Sequence, residues 1–346
     1  MTEEHDLSNE ISNNIVRIAR ELVNGRIGFL FGSGMSIPSG GIDGQQLAYQ
    51  LIKKGYFPAR DDSTDSEFQE QLKRASSAYP LEAIAAGVAQ KQTFQKTGLR
   101  EILEEVTFPN KKPSKHKGHE KLATIIERLH TVRMLFTTNW DLLLEDSIGV
   151  NAIKITPDDQ KQYMFNIDDL KTKGVLVIHL HGTFKDKPYI CEKDLMDFDK
   201  PLFQLFLSEM MTKSFIFIGY SLSDPNIRAL YYKAANILSK INEELKKTTY
   251  VVFPPKDEVD KIVSKNTWQA RNAVYIPLDA ENFFIRLQSA IETHALSEMK
   301  EKLCKRLGLT SMDLIDQRIN EIMRVFPDFH STDRALLYLY SITKGK

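Results

Sequence analysis

Four short apolar segments, each ending abruptly in a cluster of polar residues, constrain the fold of this 346-residue chain most strongly. Continuous apolar runs bounded by glycine and polar residues are typical of parallel strands that are buried on both faces. Helical patterns alternate with these and with later strand-like segments, which indicates an α/β fold. We therefore predict a Rossmann-like doubly wound parallel sheet, in which four strands end near residues 31, 136, 180 and 218.

The polar clusters that follow these four strands indicate where a ligand binds. In an open α/β sheet, ligands bind beyond the carboxyl ends of the strands, and the clusters would meet there. Because the clusters contain glycine, serine, asparagine, aspartate and histidine, we expect one polar crevice that holds a nucleotide. They occupy residues 32–36, 137–141, 181–183 and 219–221.

The charge balance gives no general attraction to anionic partners. Forty-six basic residues balance 46 acidic ones, so we expect neither direct nucleic-acid binding nor membrane association. The densest basic stretch, residues 111–117, has no interleaved aromatic residue and is predicted to be a solvated loop. The acidic start of the chain does not look like a secretory signal, and no apolar run has the length of a membrane span.

The cysteine content points to a reducing compartment. Cys191 and Cys304, the two cysteines of the chain, suggest neither a four-thiolate zinc site nor a disulfide framework. We therefore predict a cytoplasmic protein that needs no metal.

Helical patterns surround the predicted strands. Residues 56–130, approximately, contain several amphipathic segments, so we predict a helical insertion between the first two strands. We assign residues 1–294, including this insertion, to a nucleotide-binding catalytic domain, and residues 295–346 to a helical C-terminal region. That region either packs on the main domain or serves self-association or a partner. Its apolar segment 335–340 favours association.

The glycine pair after the first strand, Gly32 and Gly34, is a weak signal by itself. It lets backbone N–H groups approach a phosphate, but it is also typical of a tight turn. An ordinary dehydrogenase would add a third glycine and an acidic residue about 20 positions further on. Residues 51–55 look helical and contain no acid, which disfavours hydride transfer.

Taken together and in order, the four clusters resemble the motifs of the sirtuin family. Residues 32–36 (Gly-Ser-Gly-Met-Ser) resemble the family's Gly-Ala-Gly-hydrophobic-Ser start, and residues 137–141 (Thr-Thr-Asn-Trp-Asp) its Thr-Gln-Asn-Ile-Asp segment. The His-Gly pair at 181–182 is similar to its catalytic pair, and residues 219–222 (Gly-Tyr-Ser-Leu) to its late Gly-Thr-Ser-Leu loop. The longer form Gly-Tyr-Ser-Leu-Ser-Asp-Pro resembles bacterial sirtuin-like domains of antiviral defence systems, and the tail beyond about residue 295 is not covered.

The resemblance implies roles for individual residues. Asn139 would order the ribose hydroxyls and the attacking water, and Asp141 would lie near the nicotinamide amide or the ribose. His181, which directly precedes glycine as in the family's pair, would be a general base or a partner of a ribose hydroxyl. The other residues that would bind NAD⁺ are Gly32, Ser33, Gly34, Ser36, Thr138, Gly182, Gly219 and Ser221.

Several of these positions also have a structural interpretation. Asn139 is alternatively a turn residue, and Asp141 an N-cap for the helix that follows, a role compatible with ligand binding. His179 lies deeper in its strand and is expected to be structural, and Trp140 is expected to belong to the core. Asp224 is a secondary candidate for the site, with helix capping as its alternative role.

Missing cysteine pairs decide between two reactions of the family. Protein-deacylating members carry a zinc ribbon of two cysteine pairs between the Asn-Ile-Asp and late glycine motifs, whereas this chain has a single cysteine there, Cys191. The resemblance therefore implies an NAD⁺ glycohydrolase that produces nicotinamide and ADP-ribose, acting as a regulated effector of abortive anti-phage defence. The alternatives are an NAD-dependent protein deacylase lacking zinc and a non-catalytic module that senses NAD or ADP-ribose.

The expected partners follow from the same resemblance. NAD⁺ would be the substrate, and the chain would form a homo-oligomer. A separately encoded partner or sensor protein would control it, because unregulated loss of NAD⁺ would be toxic.

Overall fold

The computed structural model describes residues 2–58, 65–92, 98–109, 113–159, 174–190, 201–220, 222, 224–240, 247–309, 311–325 and 336–340. Cys191, Ser221 and residues 111–112 of the basic stretch lie outside these ranges. The prediction that Ser221 binds the nucleotide therefore falls outside the described part of the chain.

Seven parallel strands form one sheet. They are β1 Ile27–Phe31, β2 Met134–Thr137, β3 Ala152–Ile155, β4 Val175–His179, β5 Ser214–Ile218, β6 Thr249–Val252 and β7 Ala273–Ile276. Their order across the sheet is β3-β4-β2-β1-β5-β6-β7, and every neighbouring pair runs parallel. All residues of β1, β2, β4 and β5 are buried, as their continuous apolar runs predict.

The α-helices alternate with these strands. They are α1 Thr2–Val23, α2 Gly44–Tyr56, α3 Ser66–Ala78, α4 Leu81–Gln92, α5 Leu99–Thr107, α6 Lys117–Leu129, α7 Leu143–Ile148, α8 Pro201–Thr212, α9 Pro225–Ser239, α10 Glu258–Ala270, α11 Ala280–Ala290, α12 Leu296–Leu307 and α13 Met312–Val325. Local sequence sets several ends: Asp43 and Gln46 form a capping box at the start of α2, and Gly308 ends α12 in the left-handed conformation.

Two hydrophobic cores lie on opposite faces of the sheet. Phe29 and Phe31 of β1 belong to the core shared with α1, α6 and α11, whereas Leu30 belongs to the core shared with α8, α9 and α10. This alternation is the period of two that a strand imposes on its side chains. The predicted Rossmann-like, doubly wound parallel sheet is therefore confirmed.

The chain between β1 and β2 contains the predicted helices. Helices α2 to α5 share a third core of their own, which includes Leu51, Leu72 and Leu103. Phe184 and Ile190, from the segment that follows β4, are buried in the same core. The helical insertion thus packs against the loop that carries His181.

The C-terminal helices extend the core on the α1 face. A single π-helical segment, Ile291–Ala295, joins α11 to α12, and Leu303, Ile315 and Leu336 are buried in the same core as β1. The predicted domain boundary at residue 294 and the role of the tail in association stay predictions. None of the helices in the described ranges has the length and apolarity needed to cross a membrane.

Candidate active site

The four polar clusters lie side by side in the structure. Strands β4, β2, β1 and β5 are consecutive in the sheet, so their carboxyl ends form one continuous edge. From β1 the chain continues to β2 on one side and returns later to β5 on the other side. The topological switch point, where open α/β sheets bind ligands, is therefore between β1 and β5.

The loops after β1 and β5 touch at this switch point because both contain glycine. The Gly34 N–H donates to Gly219 O over 2.9 Å, and a Cβ on Gly34 would lie 2.6 Å from Gly219 Cα. Gly219 also has φ +61, a left-handed conformation that disfavours side chains. The Gly32 N–H donates to Ile218 O, so the amides of Gly32 and Gly34 are already bonded within the protein. Their assignment to phosphate binding stays a prediction.

Asn139, Ser36 and Asp141 form a hydrogen-bonded group between the β1 and β2 loops. Asn139 Nδ2 donates to Gly32 O and to Ser36 Oγ, each over 3.0 Å. Ser36 Oγ in turn donates to Asp141 Oδ2 over 2.7 Å. Because a backbone carbonyl can only accept, the bond to Gly32 fixes which side of the amide carries Nδ2. Asn139 Oδ1 is then the acceptor left for a ligand, since none of the described residues bonds to it.

Asp141 uses both carboxylate oxygens, one toward the helix that follows and one toward the loop after β1. The N-cap residue of that helix is Leu142, so Asp141 bonds to the first turn from the position before the cap, and its expected place near the nicotinamide or the ribose stays a prediction. Its Oδ1 accepts from Leu143 N–H over 3.1 Å at the beginning of α7, while Oδ2 holds Ser36. Burial raises the pKa of Asp141 above its ordinary value, although the hydrogen bonds from Ser36 and Leu143 oppose this effect. A buried carboxylate that needs fixed donors is consistent with a polar site rather than a solvated turn.

His179 anchors the backbone of the asparagine loop. Its Nδ1 donates to Asn139 O over 2.9 Å, and its Nε2 lies 2.7 Å from Glu145 Oε1 of α7. Both ring nitrogens are bonded and the side chain is fully buried, as expected of a structural histidine. Glu145 was not identified from the sequence; it lies in the first turn of α7, four residues after Asp141, which precedes the helix.

Trp140 joins the asparagine loop to the histidine loop. Its Nε1 donates to His181 O over 3.1 Å, and its ring contacts Phe184 with centroids 5.7 Å apart. It packs against the core of the insertion, as predicted, and its indole N–H also fixes the backbone of His181. Tyr189 N–H donates to the same carbonyl over 2.7 Å, so the turn after β4 is held from two sides.

His181 faces the start of α9, where Asp224 caps the helix. Asp224 Oδ1 accepts from Asn226 N–H over 2.7 Å, and Oδ2 lies 2.9 Å from His181 Nε2. The two atoms are in close contact, although their alignment is poor for a hydrogen bond. Burial alone would raise the pKa of Asp224, but His181 and the helix N–H groups outweigh it and hold that pKa below its ordinary value.

The structure places the remaining predicted residues less directly in the site. Ser33 is exposed in the short helical turn after β1, and the Thr138 hydroxyl donates to Phe31 O rather than toward the crevice. Gly182 has φ +70, which allows the tight turn after His181. Thr183 Oγ1 then donates to Asp186 Oδ2, and Asp186 pairs with Lys154.

Two buried hydroxyls in the loops after β1 and β5 have no partner. Eight buried side-chain atoms of the described residues lack a hydrogen bond; among them, His181 Nε2 and Asp224 Oδ2 face each other, whereas Ser39 Oγ and Tyr220 OH have no such contact. Since buried polar groups are normally satisfied, these two hydroxyls indicate that a polar ligand or ordered water completes the site. Burial, followed by the negative charges of Asp224 and Glu82, raises the pKa of Tyr220 well above its ordinary value. Tyr220 OH is therefore a neutral donor, and the sequence alone did not identify it.

A metal centre is not apparent among the described residues, where no three His, Cys, Asp or Glu side chains are grouped to hold an ion. The groups that are assembled are amide, hydroxyl, carboxylate and imidazole. They suit the hydroxyls and amide of a nucleotide.

Comparison with known proteins gives a family match and one related enzyme. Residues 133–276 match the family described as the SIR2-like domain. The NAD(+) hydrolase ThsA of Enterococcus faecium is 24% identical over 224 residues, which cover 62% of this chain and 41% of ThsA. This chain therefore matches less than half of the length of ThsA. The match to the SIR2-like domain includes Asn139, His181 and Gly219 but not the glycine loop after β1.

Two solved structures also align. Their descriptions concern the mechanism and regulation of Sir2 enzymes and the substrate affinity of sirtuins. The first is 14% identical to this chain with a TM-score of 0.40, and the alignment covers 80% of this chain and 96% of the other. The second is 15% identical with a TM-score of 0.40, and its alignment covers 78% of this chain and 97% of the other.

Proposed function

The chain belongs to the sirtuin-like (SIR2-like) family, and from this premise we propose that it is an NAD⁺ glycohydrolase, which cleaves NAD⁺ to nicotinamide and ADP-ribose. The observation that carries the proposal is the fixed amide of Asn139. Its Nδ2 is held by Gly32 O and Ser36 Oγ, so its Oδ1 is presented as an acceptor at the end of β2. An acceptor in that position suits a ribose hydroxyl or the attacking water.

His181 supplies the second element of the proposed chemistry. Cleavage of the bond between nicotinamide and ribose develops positive charge on the sugar and needs an acceptor for the proton of the nucleophile. Imidazole accepts protons near neutral pH. His181 is 8% exposed and lies at the end of β4, the strand next to β2, so it and Asn139 border the same part of the crevice.

The acceptor of the ADP-ribosyl group is proposed to be water. In deacylating sirtuins, a zinc ribbon of two cysteine pairs supports the groove that binds the acyl peptide. This chain has two cysteines in total, which cannot form two pairs. Without an acyl-lysine at the site, water reaches the sugar carbon. The name of the related NAD(+) hydrolase ThsA supports hydrolysis over deacylation.

We also propose that the enzyme is a regulated effector of abortive anti-phage defence in the bacterial cytoplasm. The support is the Gly-Tyr-Ser-Leu-Ser-Asp-Pro form of its last motif, which resembles antiviral sirtuin-like domains. Since free turnover would deplete cellular NAD⁺, activity must depend on a trigger. A homo-oligomer, controlled by a separately encoded partner or sensor, would provide that dependence.

The proposal is tested by measuring NAD⁺ and its products by chromatography, with purified protein and in phage-infected bacteria that express it. We expect nicotinamide and ADP-ribose in equal amounts, and loss of both in Asn139→Ala. Asn266→Ala, which changes an exposed asparagine of α10 far from the crevice, is the matched control and should keep full activity.

Three results would contradict the proposal. Unchanged turnover in Asn139→Ala would remove this residue from the chemistry. Cleavage that requires an acyl-lysine peptide, with transfer of the acyl group to ADP-ribose, would show a deacylase. Tight binding of NAD⁺ that stays intact in infected cells would show a sensing module.

A further inference from the structure

Asp224 has two oxygens with two separate contacts. Oδ1 accepts from the N–H groups of Asn226 and Ile227, over 2.7 and 3.4 Å, and so caps α9. Oδ2 takes no part in the cap and lies 2.9 Å from Nε2 of His181. Capping alone would need one acceptor, which serine or asparagine would supply equally well. The second oxygen of this carboxylate therefore has a different role.

A carboxylate beside Nε2 determines which ring nitrogen of His181 carries hydrogen. A deprotonated carboxylate can only accept, and its lowered pKa keeps Asp224 in that form. Nε2 must then be an N–H donor, which leaves Nδ1 as the basic nitrogen. None of the described residues hydrogen-bonds to Nδ1. The poor alignment of the contact does not argue against this role, because catalytic hydrogen bonds often tighten only when substrate is bound.

We propose that Asp224 is a positioning residue for His181, holding the imidazole as the Nε2–H tautomer so that Nδ1 receives the proton from a ribose hydroxyl or water. This role rests on the proposed NAD⁺ cleavage for its catalytic meaning, but the tautomer is a property of the free protein. In the proton transfer, the O–H bond of the hydroxyl or water breaks, an N–H bond forms at Nδ1, and His181 becomes an imidazolium paired with Asp224.

Asp224→Asn separates the positioning role from the cap. Asparagine still caps α9 through Oδ1, so its Nδ2 takes the place of Oδ2 and faces His181. Because Nδ2 donates, Nε2 must now accept, and the hydrogen moves to Nδ1. The variant is therefore folded but holds the wrong tautomer, as is known for a carboxylate-to-amide change beside a catalytic histidine.

Two measurements test the proposal. For activated enzyme, we expect Asp224→Asn to lower kcat roughly 10- to 1,000-fold with KM changed less than about twofold, and thermal stability to match the wild type. In the free protein, ¹⁵N NMR of labelled histidines should show the N–H-type signal of His181 on Nε2 in the wild type and on Nδ1 in Asp224→Asn. His181→Gln assigns the signals. Asp224→Ala, which also loses the cap, should be less stable than Asp224→Asn.

The results distinguish this inference from the proposed function. An Nε2 signal that is the same in the wild type and Asp224→Asn, or a kcat within twofold of the wild type in that variant, would overturn the positioning role. If the wild type never cleaves NAD⁺, the proposed function fails, but the NMR measurement still decides whether Asp224 sets the tautomer.

Discussion

The stability of this protein should fall as the pH is lowered from 7.5 to 5.0, and one buried histidine should account for much of the loss. His119, in the first turn of α6, is 1% exposed and its Nδ1 has no hydrogen-bond partner within the described residues. Burial, together with the nearby ring of His116, lowers the pKa of His119 from 6.5 to about 3. The folded protein therefore keeps His119 neutral at pH values where the unfolded chain protonates it.

The sign and size of the effect follow from this difference in pKa. A folded-state pKa below the unfolded value means that the unfolded state binds more protons between about pH 6.5 and 3, so stability is lost as the pH falls through that window. At pH 5.0 the solution is about 1.5 pH units below the pKa of His119 in the unfolded chain. At 1.36 kcal/mol per unit, the free energy of unfolding is therefore about 2 kcal/mol lower than at pH 7.5. The raised pKa of Asp141 acts with the opposite sign, because protonation favours its folded form.

Urea unfolding at the two pH values, followed by circular dichroism, measures this loss. His119→Leu removes the titrating group while keeping a buried side chain. Between pH 7.5 and 5.0, its free energy of unfolding should therefore change by about 2 kcal/mol less than that of the wild type. His294→Gln changes an exposed histidine of the π-helical segment and should retain the dependence of the wild type. The same dependence on pH in His119→Leu and wild type would refute the reasoning.

Two further substitutions test contacts around the crevice. Gly34→Ala places a Cβ 2.6 Å from the backbone of the opposite glycine loop. We therefore expect the free energy of unfolding to fall by an amount on the order of 2 kcal/mol, and NAD⁺ binding measured by calorimetry to weaken. Gly44→Ala, at an open position, should change neither quantity, and equal effects of the two substitutions would contradict this account. Glu145→Ala removes the hydrogen-bond partner of the buried His179 Nε2 and should cost roughly 2 kcal/mol in denaturant unfolding. The exposed neighbour Asp146 provides the control, and a similar cost for Asp146→Ala would show that the contact between Glu145 and His179 is unimportant.

The sheet could be predicted because its strands are continuous apolar runs. Residues 29–31 and 215–218 are buried on both faces, and such strands contain no surface pattern that could be confused with an amphipathic helix. Helix ends could be predicted as well, because they are set by adjacent residues. The sequence Asp224-Pro225 predicts a capping residue and a first helical residue, and α9 begins there. Strands and helix ends, which depend on residues adjacent in the sequence, were therefore predictable.

The contacts within the site could not be predicted in the same way. Ser36 bonds to Asn139 across 103 positions of sequence, and His181, in the turn after β4, meets Asp224 at the start of α9, which follows β5. Sequence motifs indicated that these residues belong to one site but not which atoms pair. The glycine loop after β1 shows this difference. Its sequence suggests that its N–H groups face a phosphate, whereas the N–H group of Gly34 donates to Gly219 O in the loop after β5.

The shared core of α2 to α5 restricts how a chain of this architecture can vary. Phe184 and Ile190 enter that core from the strand side, and Trp140 packs at its margin while its indole holds the carbonyl of His181. If helices α2 to α5 were shortened, both sheet cores would survive, but these three side chains would face water at the mouth of the crevice. Changes in the length of the insertion among relatives should therefore coincide with smaller or more polar residues at positions 140, 184 and 190.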